Sequence, residues 1–286
     1  VDFVDIDPAT GLMSVSALAV KLEQAEREGS LPKVVVPVHL TGTSCDMAPI
    51  SSLAERYGFA VLEDASHAIG GRYQGGMVGN CRHSAITVFS FHPVKIITTA
   101  EGGLIVTQHS NLDSSFKLFR SGGVQRNDLT QFSKANYSVK EVSSNFHMTE
   151  LQAVLGLEQL KSVDSFIQHR RHISSLYFAH IINPCICLPC PSEASSWNLF
   201  VIKTTSSSSR DLLFTYLQEH GIGCYFHYPP LHQFTDIYGS QSYDFSFAND
   251  YSLKAISLPI GPHLDDADVL KICEIINNFD PYSVSS

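Results

Sequence analysis

The chain has 286 residues, 44% of them apolar and 16% charged, and a net charge of −9. That is enough apolar material for a real core, and enough length for two domains or one large one. The acidic balance argues against a general nucleic-acid binder, and no apolar run approaches the length of a membrane span. Seven cysteines, an odd and scattered set, fit a reduced cytoplasmic protein.

The chain opens on a strand-like alternation, Val1 to Asp7. Ser14 to Arg27 reads as an amphipathic helix with Leu18, Leu22 and Ala25 on one face and Gly29 ending it. Lys33 to Val38 is a strand. Asp46 caps a helix that runs through Ile50, Leu53, Ala54 and Tyr57 and stops at Gly58. Phe59 to Leu62 is a short buried strand with Glu63 and Asp64 at its exit. Arg72 to Val78 has the form of a tight hairpin turning on Gly75-Gly76. The β-branched and aromatic run Ile86 to Phe91 is a second buried strand, ended by Pro93, with Lys95 just beyond. Leu104 to Thr107 is another strand and Leu112 to Arg120 a helix. This β-α-β rhythm predicts a mostly parallel sheet covered by helices.

The polar stretch 122–144 is either a functional loop near the site and an interface or an ordinary connector. Thr149 to Gln152 has the form of a capping box. From Leu151 through Val154, Leu160, Val163, Ile167 and Ile173 to Tyr177 the helical spacing continues. It predicts one long helix bridging into a smaller domain, with a boundary between 1–160 and 161–286. Asn183 to Pro191 is a break. Trp197 to Lys203 reads as a strand and Arg210 to His220 as a helix ended by Gly221. An amphipathic helix through Val269, Ile272, Ile275 and Ile276 closes the chain.

Lys95 and Asp64 both fall just past strand ends, where open α/β sheets place their ligands. A lysine in a partly desolvated pocket loses its proton readily and can attack a carbonyl. For Lys95 alone, a surface loop lysine is the competing reading. Two carboxylates at one strand exit would repel, so one of Glu63 and Asp64 is expected in the site and the other turned to a different partner. An aspartate beside a pyridine nitrogen keeps it protonated, as pyridoxal phosphate (PLP) requires. A helix N-cap or a metal ligand are the other roles open to Asp64. Cys185, Cys187 and Cys190 lie close enough to suggest soft-metal ligation, but zinc sites want two separated pairs and the nearby prolines suit an extended connector. Gly42-Thr43-Ser44 could bind phosphate, and Tyr225-Phe226-His227-Tyr228 offers aromatic faces and imidazoles for a sugar or base, or forms a core turn held by Pro229-Pro230.

The words Glu63 to Gly71, Val78-Gly79-Asn80-Cys81, Val88 to Lys95 and Glu101-Gly102-Gly103 carry a resemblance. It extends upstream through Val36 to Gly42 and Asp46 to Ile50, and downstream through Asn145 to Ala153 and Leu157 to Leu160. Over nearly its whole length the chain resembles the DegT/DnrJ/EryC1/StrS family of sugar aminotransferases, most closely the pseudaminic acid branch. The resemblance implies an α/β protein of the fold type I PLP-dependent transferases with a smaller C-terminal α/β domain. It implies PLP as cofactor and amino transfer, with glutamate as donor, to C4 of a UDP-linked 4-keto-6-deoxy-N-acetyl hexose.

By the same resemblance, Lys95 would be the Schiff-base lysine and proton shuttle, and Asp64 the partner of the pyridine nitrogen. His67 would contact the ring face or its phenolic oxygen, and Ser90 the cofactor phosphate and substrate. Asn145 would reach the neighbouring subunit's site in an obligate homodimer. Tyr225, Phe226, His227 and Tyr228 match a segment that approaches the sugar nucleotide. One departure is Phe146-His147, where the family has an aromatic residue followed by arginine, so a permanent charge and a bidentate donor are lost. In the family the opening strand lies well inside the protein, so a fragment lacking part of the cofactor's phosphate cradle is expected. A related PLP dehydratase carries histidine in place of the lysine, which Lys95 speaks against. A catalytically silent homologue is the alternative from another functional class.

Overall fold

The computed structural model describes residues 1–126, 137–240 and 243–282. In the N-terminal half, helix α1 (Val15–Glu28) is followed by β1 (Val34–Val35), a 3-10 turn (Leu40–Gly42), α2 (Met47–Tyr57) and β2 (Ala60–Asp64). A hairpin of β3 (Arg72–Tyr73) and β4 (Gly76–Met77) leads to β5 (Ile86–Ser90) and β6 (Gly103–Val106). These strands form a sheet in the order β1-β2-β5-β6. The first three run parallel and β6 runs antiparallel, with Leu62 opposite Ile86 and Asp64 opposite Val88. The sheet is therefore mostly parallel, as the alternation of elements predicts. Leu18 and Leu22 of α1, Met47 and Ile50 of α2, and Val35 and Val61 of the strands close one core on its face.

Next come α3 (Ser110–Arg120), β7 (Val124–Arg126), β8 (Tyr137–Val139), α4 (Glu150–Leu160) and α5 (Val163–His180). The C-terminal part adds β9 (Ile186–Cys187), β10 (Phe200–Thr204), α6 (Ser207–Glu219), a 3-10 turn (Leu231–Gln233), α7 (Thr235–Tyr238), α8 (Ser246–Lys254), β11 (Ala255–Leu258) and α9 (Asp266–Asn278). Its antiparallel sheet, β11-β10-β9, packs with α5, α6 and α9 around Tyr177, Phe200, Ile202, Leu213, Ile256 and Ile276.

Several expectations shift. The helical pattern from Leu151 to Tyr177 is two helices, because Ser162 leaves helical geometry at φ −106, ψ 3. The two take different partners. Ile173 and Tyr177 of α5 join the C-terminal core with Val269 and Ile272 of α9. None of α4 is buried, and it docks by polar contacts instead. Its capping box is present as predicted, with Thr149 Oγ1 accepting from the Gln152 N–H. The strand at 33–38 is paired only at Val34–Val35, with one further bridge from Val38 to Asp64. Asp46 does not cap α2 directly. Its carboxylate accepts from the Tyr73 hydroxyl at 2.5 Å, and that oxygen accepts from the Ala48 N–H at 3.0 Å. The hairpin turns on Gln74-Gly75, both at positive φ, one residue earlier than predicted. In the stretch 122–144, β7 and β8 pair antiparallel, and residues 127–136 lie outside the described residues.

Candidate active site

The two carboxylates at the exit of β2 separate as expected. Glu63 is buried, and its carboxylate accepts from His39 Nε2 at 2.8 Å, from Thr87 Oγ1 at 3.2 Å and from Ser84 Oγ. His39 Nδ1 accepts the Cys45 N–H at 3.1 Å, which puts the ring proton on Nε2, facing Glu63. Burial alone would raise the Glu63 pKa, but these donors outweigh it and hold the carboxyl below its usual range. Folding therefore binds the ionised form. The stability this supplies is present above the unfolded carboxyl range and is lost as pH falls through the lowered folded value. Glu63→Gln should cost about 1–3 kcal/mol at pH 7 by urea denaturation, and the gap to wild type should narrow on acidification.

Asp64 turns the other way. Its main chain is pinned to the neighbouring strand, with its N–H donating to Pro37 O at 3.0 Å and its carbonyl accepting from the His39 N–H at 2.9 Å. Its Oδ1 accepts from the Ser66 N–H at 3.0 Å, which starts the turn that carries His67.

Lys95 lies in a loop that closes on itself at Phe91. The Thr99 N–H and the Thr98 hydroxyl both donate to Phe91 O, at 3.0 and 2.8 Å, and the Phe91 N–H donates to Gly102 O at 2.9 Å. Ile96 and Ile97 are buried against Ile167 and so plug the loop into the core directly after the lysine. From α4, Gln159 Oε1 accepts the Thr98 N–H at 2.9 Å, and Gln152 donates to Glu101 O at 2.9 Å. A Cβ on Gly156 would meet Thr99 at 2.7 Å, so only glycine lets the helix approach this closely. Gln159 has no sequence signal beyond the family word and Gly156 has none at all, because their role depends on a loop some sixty positions earlier.

The Lys95 Nζ makes no hydrogen bond or ion pair among the described residues, and the side chain is half-buried. Burial pulls its pKa below the usual lysine range, and Asp64 offsets part of that. Two imidazoles near it, His67 and His227, respond to its charge. His67 is pulled down to about 4, first by burial and then by Lys95, with Asp64 opposing. His227 is lowered by burial and by Lys95. Tyr228 is raised by burial and by Asp64. Its hydroxyl lies 3.3 Å from His67 Nε2, while His67 Nδ1 accepts the Thr41 N–H at 3.3 Å. Asp64, His67, Lys95, His227 and Tyr228 thus form one electrostatic cluster drawn from three separate stretches of chain.

Other predicted residues lie elsewhere. Ser90 ends β5 beside the Lys95 loop, where its Oγ accepts the His92 N–H at 3.3 Å. Tyr225 is exposed; its backbone pairs with Ser257, and its ring centroid lies 6.1 Å from that of His227. Phe226 turns away and packs on Phe214, with ring centroids 4.5 Å apart and the Arg210 guanidinium 4.2 Å above its ring. Asn145 pairs with Ser121 and, with His147, lines a separate cleft of about 890 Å³ between α3 and β7. Gly42 offers no open phosphate turn. At φ 104 its carbonyl accepts the Ser196 N–H at 3.0 Å, and a Cβ would meet Ser196 Oγ at 2.6 Å. Cys187 belongs to β9, and Cys190 Sγ reaches Ala9 O at 3.4 Å.

An unpaired, half-desolvated amine beside a carboxylate at parallel strand ends, flanked by imidazoles, suits covalent carbonyl chemistry. The model of the DegT/DnrJ/EryC1/StrS aminotransferase family matches residues 1–277. This chain belongs to that family. It is 32% identical to the spore coat polysaccharide biosynthesis protein SpsC of Bacillus subtilis, over 96% of this chain and 72% of that protein. PseC of Helicobacter pylori, an aminotransferase involved in the biosynthesis of pseudoaminic acid, superposes with a TM-score of 0.86 at 30% identity, covering 96% of this chain and 72% of that one. The PLP form of Spr1654 from Streptococcus pneumoniae gives 0.81 at 25%, covering 96% and 73%. The chain is a sugar aminotransferase of the PLP-dependent transferase fold, and its cofactor is PLP. The donor set fits that group: a free amine for the aldehyde, a carboxylate for the ring nitrogen, and neutral rings for the face. No helix among the described residues is long and apolar enough to cross a membrane.

Proposed function

We propose that the protein moves an amino group from glutamate to C4 of a UDP-linked 4-keto-6-deoxy-N-acetyl hexose, with Lys95 as the covalent and proton-transferring residue. The observation that carries this is the unpaired Lys95 amine within electrostatic reach of Asp64, His67 and His227. When bound, PLP supplies an aldehyde carbon and a pyridinium that draws off an electron pair. Asp64 holds the positive charge on that ring nitrogen. Lys95 Nζ, its pKa lowered by burial, gives up its proton more readily than an exposed lysine. It takes the proton from the donor's α-carbon and, in the return half, gives a proton to the sugar carbon that has received nitrogen. His67, held neutral, offers a ring face and no competing charge. His227 and Tyr228 bring a donor and an aromatic face to the same mouth, where a sugar would lie.

The likeness to PseC supports the choice of sugar, and the likeness to SpsC supports a place in polysaccharide biosynthesis. We further place a PLP-binding domain at 1–160 and a smaller domain at 161–286, in a homodimer. Support for the dimer comes from α4, which leaves Leu151, Val154, Leu157 and Leu160 exposed, and from the stacked, exposed pair Phe119 and Phe146 beside Asn145. Contiguous apolar surface of this kind marks an association face. Asn145, remote from the chain's own cluster, is then positioned to serve a neighbour's.

The test is turnover of the PLP-loaded protein with glutamate and the UDP-4-keto sugar, read by NMR of the product. A new amine on C4 is expected. Failure with this sugar, together with amination of a 3-keto isomer, would overturn the positional assignment.

A further inference from the structure

We infer that Ser257, buried on β11, is a positioning residue that fixes His227 as its Nε2–H tautomer beside Lys95. The inference rests on the Lys95-centred site proposed above. Ser257 Oγ lies 2.7 Å from His227 Nδ1. The serine is buried, and its hydroxyl has no other partner among the described residues. If His227 carried its proton on Nδ1, that N–H would donate to Ser257 Oγ, and the serine O–H would be left buried without an acceptor. Donation from Ser257 to Nδ1 satisfies both groups and leaves Nε2–H as the free donor on the site side. The placement is rigid. Ser257 exchanges backbone hydrogen bonds with Tyr225, two residues before the histidine, at 2.8 and 3.3 Å, and faces Val201 of β10.

His67 is fixed in the same sense by a different donor, since its Nδ1 accepts the Thr41 N–H. Both imidazoles near Lys95 therefore present Nε2–H, and neither presents a lone pair on that nitrogen. Lys95 is left as the proton acceptor of the cluster. The titratable groups around His227 are Lys95, His67, Tyr225 and Tyr228. Lys95 and burial oppose its protonation, and a donor on Nδ1 opposes it further, because that lone pair must be free to accept.

The test is 15N NMR of histidine-labelled protein, with and without PLP, in wild type, Ser257→Ala and Ser257→Thr. Wild type and Ser257→Thr should show His227 with a pyridine-like Nδ1 and a protonated Nε2. Ser257→Ala should show mixed tautomers and a higher His227 pKa. Its kcat should fall roughly three- to tenfold with KM little changed, and the acid limb of the kcat profile should move to higher pH. A protonated Nδ1 in wild type overturns the inference. So does a Ser257→Ala protein with an unchanged tautomer. The tautomer readout needs no activity, so it stands apart from borohydride trapping at Lys95, which tests the underlying site.

Discussion

Replacing Lys95 by alanine should lower amino transfer by at least about 10³-fold while leaving thermal stability near wild type. Two roles vanish together. Without the amine there is no covalent hold on an aldehyde, and there is no base to move the proton between carbons. The fold should survive because the Lys95 Nζ has no hydrogen-bond partner to abandon, and Ile96 and Ile97 still anchor the loop. Unpaired and half-desolvated, the ammonium costs folding free energy, so a slight rise in melting temperature would fit as well. Lys95→Arg should be nearly as inactive, since a guanidinium neither deprotonates nor attacks a carbonyl. The comparison of kcat with melting temperature separates this from a structural role. A variant that loses activity only in proportion to unfolded protein would argue against it.

Arg170→Met should destabilise the protein by about 3–5 kcal/mol, with a lower urea midpoint and an unchanged slope. Arg170 is buried on α5 and donates to three carbonyls, those of Trp197, Asn198 and Ile260, at 3.0–3.2 Å. Burial pulls its pKa down to about 10, still charged at neutral pH. Methionine fills similar volume but leaves those acceptors unpaired in a dry interior. The turn they hold is demanding, since Trp197 sits at φ 50, a conformation bulky residues rarely adopt. Arg171 adds a fourth tether, from Nε to Ser195 O at 3.1 Å. The same turn reaches the candidate site. Ser196 Oγ donates to His67 O at 3.1 Å, and the Leu199 N–H donates to Thr41 O at 3.2 Å. Loosening it should therefore also lower activity at temperatures well below melting, because the Thr41–His67 contact loses its backing.

Much of this was legible in the chain, for definable reasons. Asp64 and Lys95 follow short β-rich runs, so strand periodicity alone places them at parallel strand exits. Like-charge repulsion alone separates Glu63 from Asp64, and the buried His39 partner accounts for where the second carboxylate goes. The errors share a cause. The break at Ser162 lacks glycine or proline, so spacing carries straight through it, and only the different partners of α4 and α5 interrupt the helix. Phe226 sits in the same word as His227 and Tyr228, but in that extended segment neighbouring side chains point apart, and α6 claims the phenylalanine. Strand β11 and helix α8 escaped notice because no turn residue separates Lys254 from Ala255. Arg170, Ser196, Gln159 and Ser257 work through partners far away in sequence, a relation that spacing does not encode.

The most direct measurement of the central claim is borohydride reduction of the PLP-loaded protein, followed by mass mapping of its peptides. The cofactor's mass is expected on the peptide that contains Lys95 and on no other lysine, with the label absent in Lys95→Ala. Prior incubation with glutamate should remove the reducible bond, and the UDP-4-keto sugar should restore it. Label on a different lysine, or label that persists undiminished in Lys95→Ala, would contradict the role assigned to Lys95.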